Sequence, residues 1–325
     1  MEKRVCVTGA GGFLASWVVK LLLSKGYTVH GTVRDPNDEK YSHLNKLDGA
    51  SENLKLFKAD LLDYDSLESA IQGCSGVLHV ACPVPPSSVP NPEVEILEPA
   101  LKGTLNVLKA CSQAKVKRVV YVSSVASVMM NPNQPDGQVW DETCWSDKEY
   151  CKSTGNWYCY SKTEAESAAF EYGKQNGLDV VSVCPSLILG PILQSTLNSS
   201  TLVLVKLVKG TYIHLVQGGE DSVPNRVRYI IDVRDAAEAI ITAYEEHKAE
   251  GRYICTAHAI KTRDLAEKLG GLYPEFTYPK NYSETSVHEG NLSSERLQKL
   301  GWTYRPLEET LVDSIESYRE AALLD

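Results

Sequence analysis

A run of glycines, Thr8-Gly9-Ala10-Gly11-Gly12-Phe13-Leu14-Ala15, stands between a short apolar segment and the first helical pattern of this chain. Arg4 to Thr8 reads as a strand. Phe13, Leu14, Trp17, Val18, Leu21 and Leu22 then recur at helical spacing until Gly26 closes the helix. Position matters more here than the letters alone. Glycines let the backbone turn sharply and come close to a ligand, and a helix start offers free N–H groups at the positive end of its dipole. Strand, glycine-rich turn and helix, in that order, form the pyrophosphate cradle of a βαβ unit. Gly9, Gly11, Gly12, Phe13 and Leu14 are therefore expected against a dinucleotide.

The same alternation continues along the chain. Strand patterns fall at Tyr27 to Val33, Leu54 to Ala59, Gly76 to Val80, Arg118 to Ser123 and Val180 to Cys184, with connections long enough for helices. Six parallel strands with helical crossovers define an α/β class, the doubly wound parallel sheet or Rossmann fold. After Pro185 the regularity weakens. Gly190-Pro191, Gly218-Gly219 and Tyr278-Pro279-Lys280 separate shorter helical patterns such as Val233 to Glu246 and Leu307 to Tyr318. The expected division is a nucleotide-binding domain over 1–185 and a smaller substrate-binding domain over 186–325. The boundary is soft, and segments are free to cross back.

The formal charge of −9 argues against nucleic acid, whose phosphates require clustered Lys and Arg. No apolar run approaches the roughly 20 residues of a membrane span, and Lys206 interrupts the stretch Leu202 to Val208. The first residues show no signal-peptide pattern. The 9 cysteines lack the spacing of a disulfide scaffold or a zinc site. A cytoplasmic, metal-free protein acting on a small molecule is expected.

The end of the second strand bears on which dinucleotide binds. An Asp or Glu there accepts from the ribose 2′-hydroxyl of NAD. This chain has Thr32-Val33-Arg34-Asp35. The Arg34 guanidinium suits a 2′-phosphate, and Lys40 adds a second positive charge, so NADP(H) is the expected cofactor; Asp35 keeps NAD in play. Asp60 and Leu61 after the third strand, and Val80, Ala81 and Cys82 after the fourth, lie where adenine and ribose pass the strand ends. Residues at such positions also commonly do no more than cap the next helix.

Reducing a carbonyl requires a hydride, an acid for the oxygen and a group that polarises it. A tyrosine is a poor acid–base group at neutral pH unless a cation tunes it. Tyr-x-x-x-Lys on a helix places the two side chains one turn apart on one face. The pattern occurs twice, as Tyr158…Lys162 and Tyr244…Lys248. Tyr158 follows the fifth strand and its serines, whereas Tyr244 sits among Glu245, Glu246 and His247 and reads as a solvated helix face. The expected catalytic set is Ser124 to polarise the carbonyl, Tyr158 to donate the proton, and Lys162 to depress the Tyr158 pKa and hold the ribose. Alternation along the strand points Ser123 away from Ser124.

Together these segments resemble the extended short-chain dehydrogenase/reductases of plant phenylpropanoid metabolism, above all the cinnamoyl-CoA reductases and their relatives. The resemblance rests on Val5 to Phe13, on Gly31-Thr32-Val33-Arg34-Asp35-Pro36 and on Asn156-Trp157-Tyr158-Cys159-Tyr160-Ser161-Lys162. The last is similar to the family's Asn-Trp-Tyr-Cys-Tyr-Gly-Lys signature. The likeness extends to Leu189-Gly190-Pro191 and Asp232-Val233-Arg234-Asp235. It implies the Ser124, Tyr158 and Lys162 set, Arg34 and Lys40 on the 2′-phosphate, Asp60 and Leu61 near adenine, and Pro185 to Ile188 with Ser200 at the nicotinamide end. It also implies a monomer or weak homodimer, and that Cys151 and Cys159 can pair as a regulatory disulfide, against two reduced thiols in a cytosolic protein.

Departures from the family pattern bear on the substrate. Ser161 replaces the signature's glycine and is expected on an exposed helix face. A His that precedes a Lys by three residues in cinnamoyl-CoA reductases, associated there with CoA, is Val203 before Lys206 here. Dihydroflavonol reductases place Asn or Asp five residues after the serine; this chain has Met129, an adaptable apolar residue. The resulting expectation is a free hydroxycinnamaldehyde reduced to its alcohol, as in atypical short-chain cinnamyl alcohol dehydrogenases of lignin-type pathways. The CoA thioester is the alternative, followed by a dihydroflavonol-type ketone. A nucleotide-sugar epimerase would be expected to end its second strand with an acidic residue rather than Arg34. An inert NADPH sensor would have no use for the catalytic set.

Overall fold

The computed structural model describes residues 3–82, 89–135, 137–211, 222–284 and 290–324; the Gly218-Gly219 turn lies outside them. Apolar, β-branched segments form β1 (Arg4–Thr8), β2 (Thr28–Val33), β3 (Leu54–Lys58), β4 (Gly76–His79), β5 (Arg118–Val122) and β6 (Asp179–Pro185). Past β6 come β7 (Leu187–Leu189) and β8 (Val227–Asp232), which make a small second sheet with β10 (His258–Lys261). Between β8 and β10, β9 (Gly251–Cys255) returns to the main sheet. The main sheet runs β9-β6-β5-β4-β1-β2-β3, with every pair parallel.

A parallel sheet must be covered on both faces. On one side α1 (Phe13–Ser24) packs with Val7, Val29 and Val120 in one apolar cluster. The other face buries α2 (Tyr64–Ile71), α3 (Glu98–Gln113) and α4 (Trp157–Asn176) through Leu67, Leu108 and Ala165. Further along, α5 (Ser199–Val208) contributes Leu204 and Leu207 to a separate core with Ile230 and Ile315. Then α6 (Val233–Glu245) joins α1 on the first face. Strand order reverses at β1, which lies between β4 and β2. That reversal opens a crevice at the strands' carboxyl ends, where ligands of such sheets bind.

The sheet has seven strands rather than the expected six. Buried Arg252 breaks the apolar run of β9, and its pairing with β6, Ile254 opposite Cys184, spans about a fifth of the chain. The second Tyr-x-x-x-Lys pair also differs from expectation. Lys248 is exposed, but Tyr244 is half-buried: its ring lies on Gly76, where any Cβ would collide with it, and its hydroxyl is 3.2 Å from Ser75 Oγ. No helix among the described residues is long and apolar enough to cross a membrane.

Candidate active site

The glycine turn sits at the crevice. Gly9 has φ +67°, and a Cβ there would stand 2.9 Å from Ala81 Cβ. At Gly11 a Cβ would run into the Tyr41 ring, so neither position accepts a side chain without displacement. Gly12 is the N-cap of α1, gives no side-chain cap, and no acidic residue lies in the first turn. The first N–H groups of α1 are thus left for an anion, which fits a dinucleotide pyrophosphate. Phe13 and Leu14, the first two residues of α1, are buried in the core directly after this turn.

At the end of β2 the choice between phosphate and hydroxyl is made by side-chain geometry. Arg34 is exposed and, among the described residues, has no ion-pair partner. Lys40 is close enough for the Arg34 charge to act on it, and its ammonium pairs with Asp38 while lying 4.9 Å from the Tyr41 ring centre. Two neighbouring cations, one of them paired with Asp38, suit a dianionic phosphate. Asp35 turns back instead, its Oδ1 accepting from the Asn37 N–H at 3.1 Å.

Asp60 is likewise engaged in its own turn, accepting from the Leu62 N–H at 2.8 Å. Leu61 is fixed by Asn106, whose Nδ2 donates to its carbonyl at 2.9 Å. Below the crevice, Ala81 N–H donates to Thr8 Oγ1 at 3.0 Å, and that oxygen lies 2.8 Å from His79 Nδ1. Val80, Ala81 and Cys82, each partly exposed, thus follow β4 over the glycine turn, and Cys82 hydrogen-bonds the Lys162 side chain.

The structure brings Ser124, Tyr158 and Lys162 together. Asn156 caps α4, its side-chain oxygen accepting from the Cys159 N–H at 3.4 Å, so the helix starts with Tyr158 in its first turn. Lys162, 3% exposed, donates from Nζ to the Val122 carbonyl at 3.1 Å. Ser124 begins the short 3₁₀ turn 125–127 at the end of β5, accepts from the Ala126 N–H at 3.2 Å, and lies close enough to the Tyr158 phenol to favour its ionised form. Ser123 points the other way, into the core.

Burial raises the Tyr158 pKa; the Lys162 ammonium is the largest opposing influence, and the nearby Ser124 hydroxyl adds to it. The net direction is upward, so Lys162 moderates the phenol instead of depressing it below its ordinary value. Burial works against the Lys162 charge, but the Cys82 thiol and the Tyr121 and Tyr158 phenols more than offset it, and the ammonium's pKa is raised. Ser161 is not on an exposed face: it is 1% exposed, and its hydroxyl donates to the Tyr158 carbonyl at 2.9 Å.

At the opposite side of the crevice, Pro185 ends β6, and the Ser186 N–H donates to the Cys255 carbonyl at 3.0 Å. The Ser186 hydroxyl is buried and has no hydrogen-bond partner among the described residues. A buried polar atom left open in this way is suited to a bound ligand. Ile188 is half-buried in β7, opposite Ile231. Ser200 stands in the first turn of α5, and no hydrogen bond among the described residues ties it to the other candidates. Met129 packs on Val125, Val128 and Trp140; Val203 and Lys206 are partly exposed on α5. Cys151 and Cys159 are free thiols, with Cys159 pushed up to about 12 by burial and by Cys151 beside it.

Sequence reading missed Glu166 and Arg252. Glu166 is one turn past Lys162 on the same face of α4, fully buried, and paired with Arg252 at 2.9 Å. The spacing Tyr158, Lys162, Glu166 was a usable local signal. Nothing near Arg252 in sequence points to the site.

A doubly wound sheet whose glycine cradle, paired cations and Tyr–Lys–Ser group face one crevice is the architecture of a dinucleotide-dependent oxidoreductase. The chain belongs to the NAD dependent epimerase/dehydratase family, whose model matches residues 5–255. It is 46% identical to cinnamoyl-CoA reductase 1 of Petunia hybrida over 319 residues, 97% of this chain and 92% of that protein. Vestitone reductase from alfalfa (Medicago sativa) shares the fold at a TM-score of 0.82, with 33% identity over 99% of each chain. The yeast methylglyoxal/isovaleraldehyde reductase Gre2, solved with NADPH, superposes at a TM-score of 0.83, with 26% identity over 99% of this chain and 100% of that one. This protein is an NADP-dependent oxidoreductase of the short-chain dehydrogenase/reductase type.

Proposed function

We propose that this enzyme reduces the CoA thioester of a hydroxycinnamic acid to the aldehyde, with Tyr158 as the proton donor. Close identity to a cinnamoyl-CoA reductase over almost the whole chain carries this reading. It takes precedence over the free aldehyde expected from the missing His at position 203.

NADPH, when bound, supplies the hydride. Gly9, Gly11 and Gly12 with the start of α1 would hold its pyrophosphate, Arg34 and Lys40 its 2′-phosphate, and Ser186 would take a hydrogen bond near the nicotinamide. Ser124 donates a hydrogen bond to the thioester carbonyl oxygen as negative charge develops there. The raised pKa keeps Tyr158 protonated at neutral pH, so its hydroxyl can pass a proton to that oxygen. Lys162 supports the phenolate left behind. The resulting hemithioacetal collapses, the C–S bond breaks, and the thiolate leaves as CoA thiol after taking a proton. The hydroxyl proton of the hemithioacetal returns to the Tyr158 phenolate as the C–S bond breaks, so one thioester, one NADPH and one proton taken from solvent give one aldehyde, one CoA thiol and one NADP⁺.

Val203 favours a second reading, reduction of the free aldehyde to the alcohol, which needs no leaving group. A comparison of kcat/KM for feruloyl-CoA and coniferaldehyde with NADPH decides between them. Preference for the thioester supports the first reading; preference for the aldehyde supports the second. We further propose a cytoplasmic enzyme with the substrate covered by residues beyond 185, a reading supported by nine free thiols.

A further inference from the structure

Glu166 gathers donors from three separate segments: the 123–127 turn, β6 and β9. Its Oε1 accepts from Ser182 Oγ at 2.6 Å, Arg252 Nε at 2.9 Å and Cys184 Sγ at 3.3 Å. Its Oε2 accepts from Ser127 Oγ at 2.5 Å, Ser123 Oγ at 2.8 Å and Arg252 Nη2 at 3.2 Å. Ser123 and Ser127 bracket Ser124, so the carboxylate grips the serine turn on either side of the residue that faces Tyr158.

Arg252 extends the grip. Its Nη2 also donates to Ser127 Oγ at 3.0 Å, its Nη1 donates to the Cys144 carbonyl at 2.6 Å, and its guanidinium lies 3.6 Å from the Trp145 ring centre. From that neighbouring loop, Ser146 Oγ donates to the Ala126 carbonyl at 2.8 Å and accepts from the Met130 N–H at 2.9 Å. The turn is therefore clamped from below by the ion pair and from the side by the loop the same arginine holds.

Burying an ion pair is a costly route to stability, because apolar residues of similar volume often do as well. A guanidinium and a carboxylate in a two-point fork instead impose fixed distances and angles. We propose that Glu166, paired with Arg252, is a positioning residue: it sets the 123–127 turn so that the Ser124 hydroxyl lies beside the Tyr158 phenol. The proposal rests on Ser124 and Tyr158 acting on the carbonyl, as argued above. Glu166 acts through Ser124 and does not touch the reacting atoms.

Ser127→Ala removes one arm of the clamp and leaves the ion pair; Glu166→Gln breaks the fork. Both are assayed beside wild type for kcat, for NADPH KM and for the pH profile of reduction. The groups facing the Tyr158 hydroxyl are Lys162 and Cys159 of its own helix, Cys82 beyond β4, and Ser124. Reduction needs a protonated phenol, so activity falls as pH rises through the Tyr158 pKa. Ser124 favours the phenolate, so withdrawing it moves that limb to higher pH. The expected result for each variant is kcat lower by about tenfold or more, NADPH KM within about twofold, and an upward shift of the limb. Crystals of Ser127→Ala are expected to show Ser124 Oγ displaced away from the Tyr158 phenol. An unshifted limb with only melting temperature reduced, or Ser124 unmoved in those crystals, overturns the proposal. Failure of wild type to reduce thioester or aldehyde strikes the substrate reading instead, and the crystallographic test still stands.

Discussion

The Lys162 ammonium donates to the carbonyl of Val122, the last residue of β5, at 3.1 Å. That bond ties the helix bearing Tyr158 to the strand whose end bears Ser124. The three residues of the proposed catalytic set thus share one rigid joint between α4 and β5.

Removing the phenol hydroxyl by Tyr158→Phe should lower kcat by about 10²- to 10⁴-fold, the usual share of a positioned acid. NADPH affinity, measured by fluorescence titration, should stay within about twofold. Tyr244→Phe serves as the comparison, because its hydroxyl meets Ser75 rather than the crevice; its kcat should match wild type. Near-normal turnover by Tyr158→Phe would take this residue out of the mechanism.

Lys162→Met removes the largest influence that lowers the Tyr158 pKa. Reduction should slow by at least about tenfold, and the alkaline limb of its pH profile should move upward, since a phenol without its cation holds the proton longer. A profile superimposable on wild type would mean that the ammonium does not act on this phenol.

Arg34→Ala should raise the NADPH KM by about 10- to 100-fold, as expected for one lost charge-assisted hydrogen bond. The NADH KM should be almost unchanged, because Asp35 is occupied by its own turn. Steady-state kinetics with both cofactors is the check, and equal losses for the two would assign Arg34 to the adenine or to folding.

Acid should destabilise the fold through His79. Burial, with Lys162 adding to it, pushes this imidazole from 6.5 down to about 3. The unfolded chain therefore binds a proton below pH 6.5 that the folded chain refuses, so this contribution is complete above that pH and is lost as pH falls toward 3. Between neutrality and roughly pH 5 the loss amounts to about 2 kcal/mol. Urea unfolding of wild type and His79→Gln at both pH values should show a smaller acid loss in the variant.

Loss of the helix cap in Asn156→Ala should cost about 1 kcal/mol of stability. It should also slow turnover, because Tyr158 lies in the first turn that the cap orders. Denaturant midpoints and kcat measured on one preparation test both effects; unchanged values would leave the Asn of the signature without this role.

Much of this protein is written locally. Arg4 to Ala15 specify strand, turn and helix within a dozen residues, because glycine conformations and helical periodicity are near-neighbour properties. The Tyr158…Lys162 spacing and the end of the second strand are equally local, and they identify the chemistry and the cofactor. Sequence alone misread Ser161 and Tyr244, whose surroundings come from turns and strands elsewhere in the chain. It also gave no hint that Arg252 lies beneath Ser124. Packing decided those points: a parallel sheet places residues side by side irrespective of their distance along the chain, and a buried charge is stable only where another segment supplies its partner. The substrate reading turned on more than position 203, because recognition is spread over a surface that no single side chain defines.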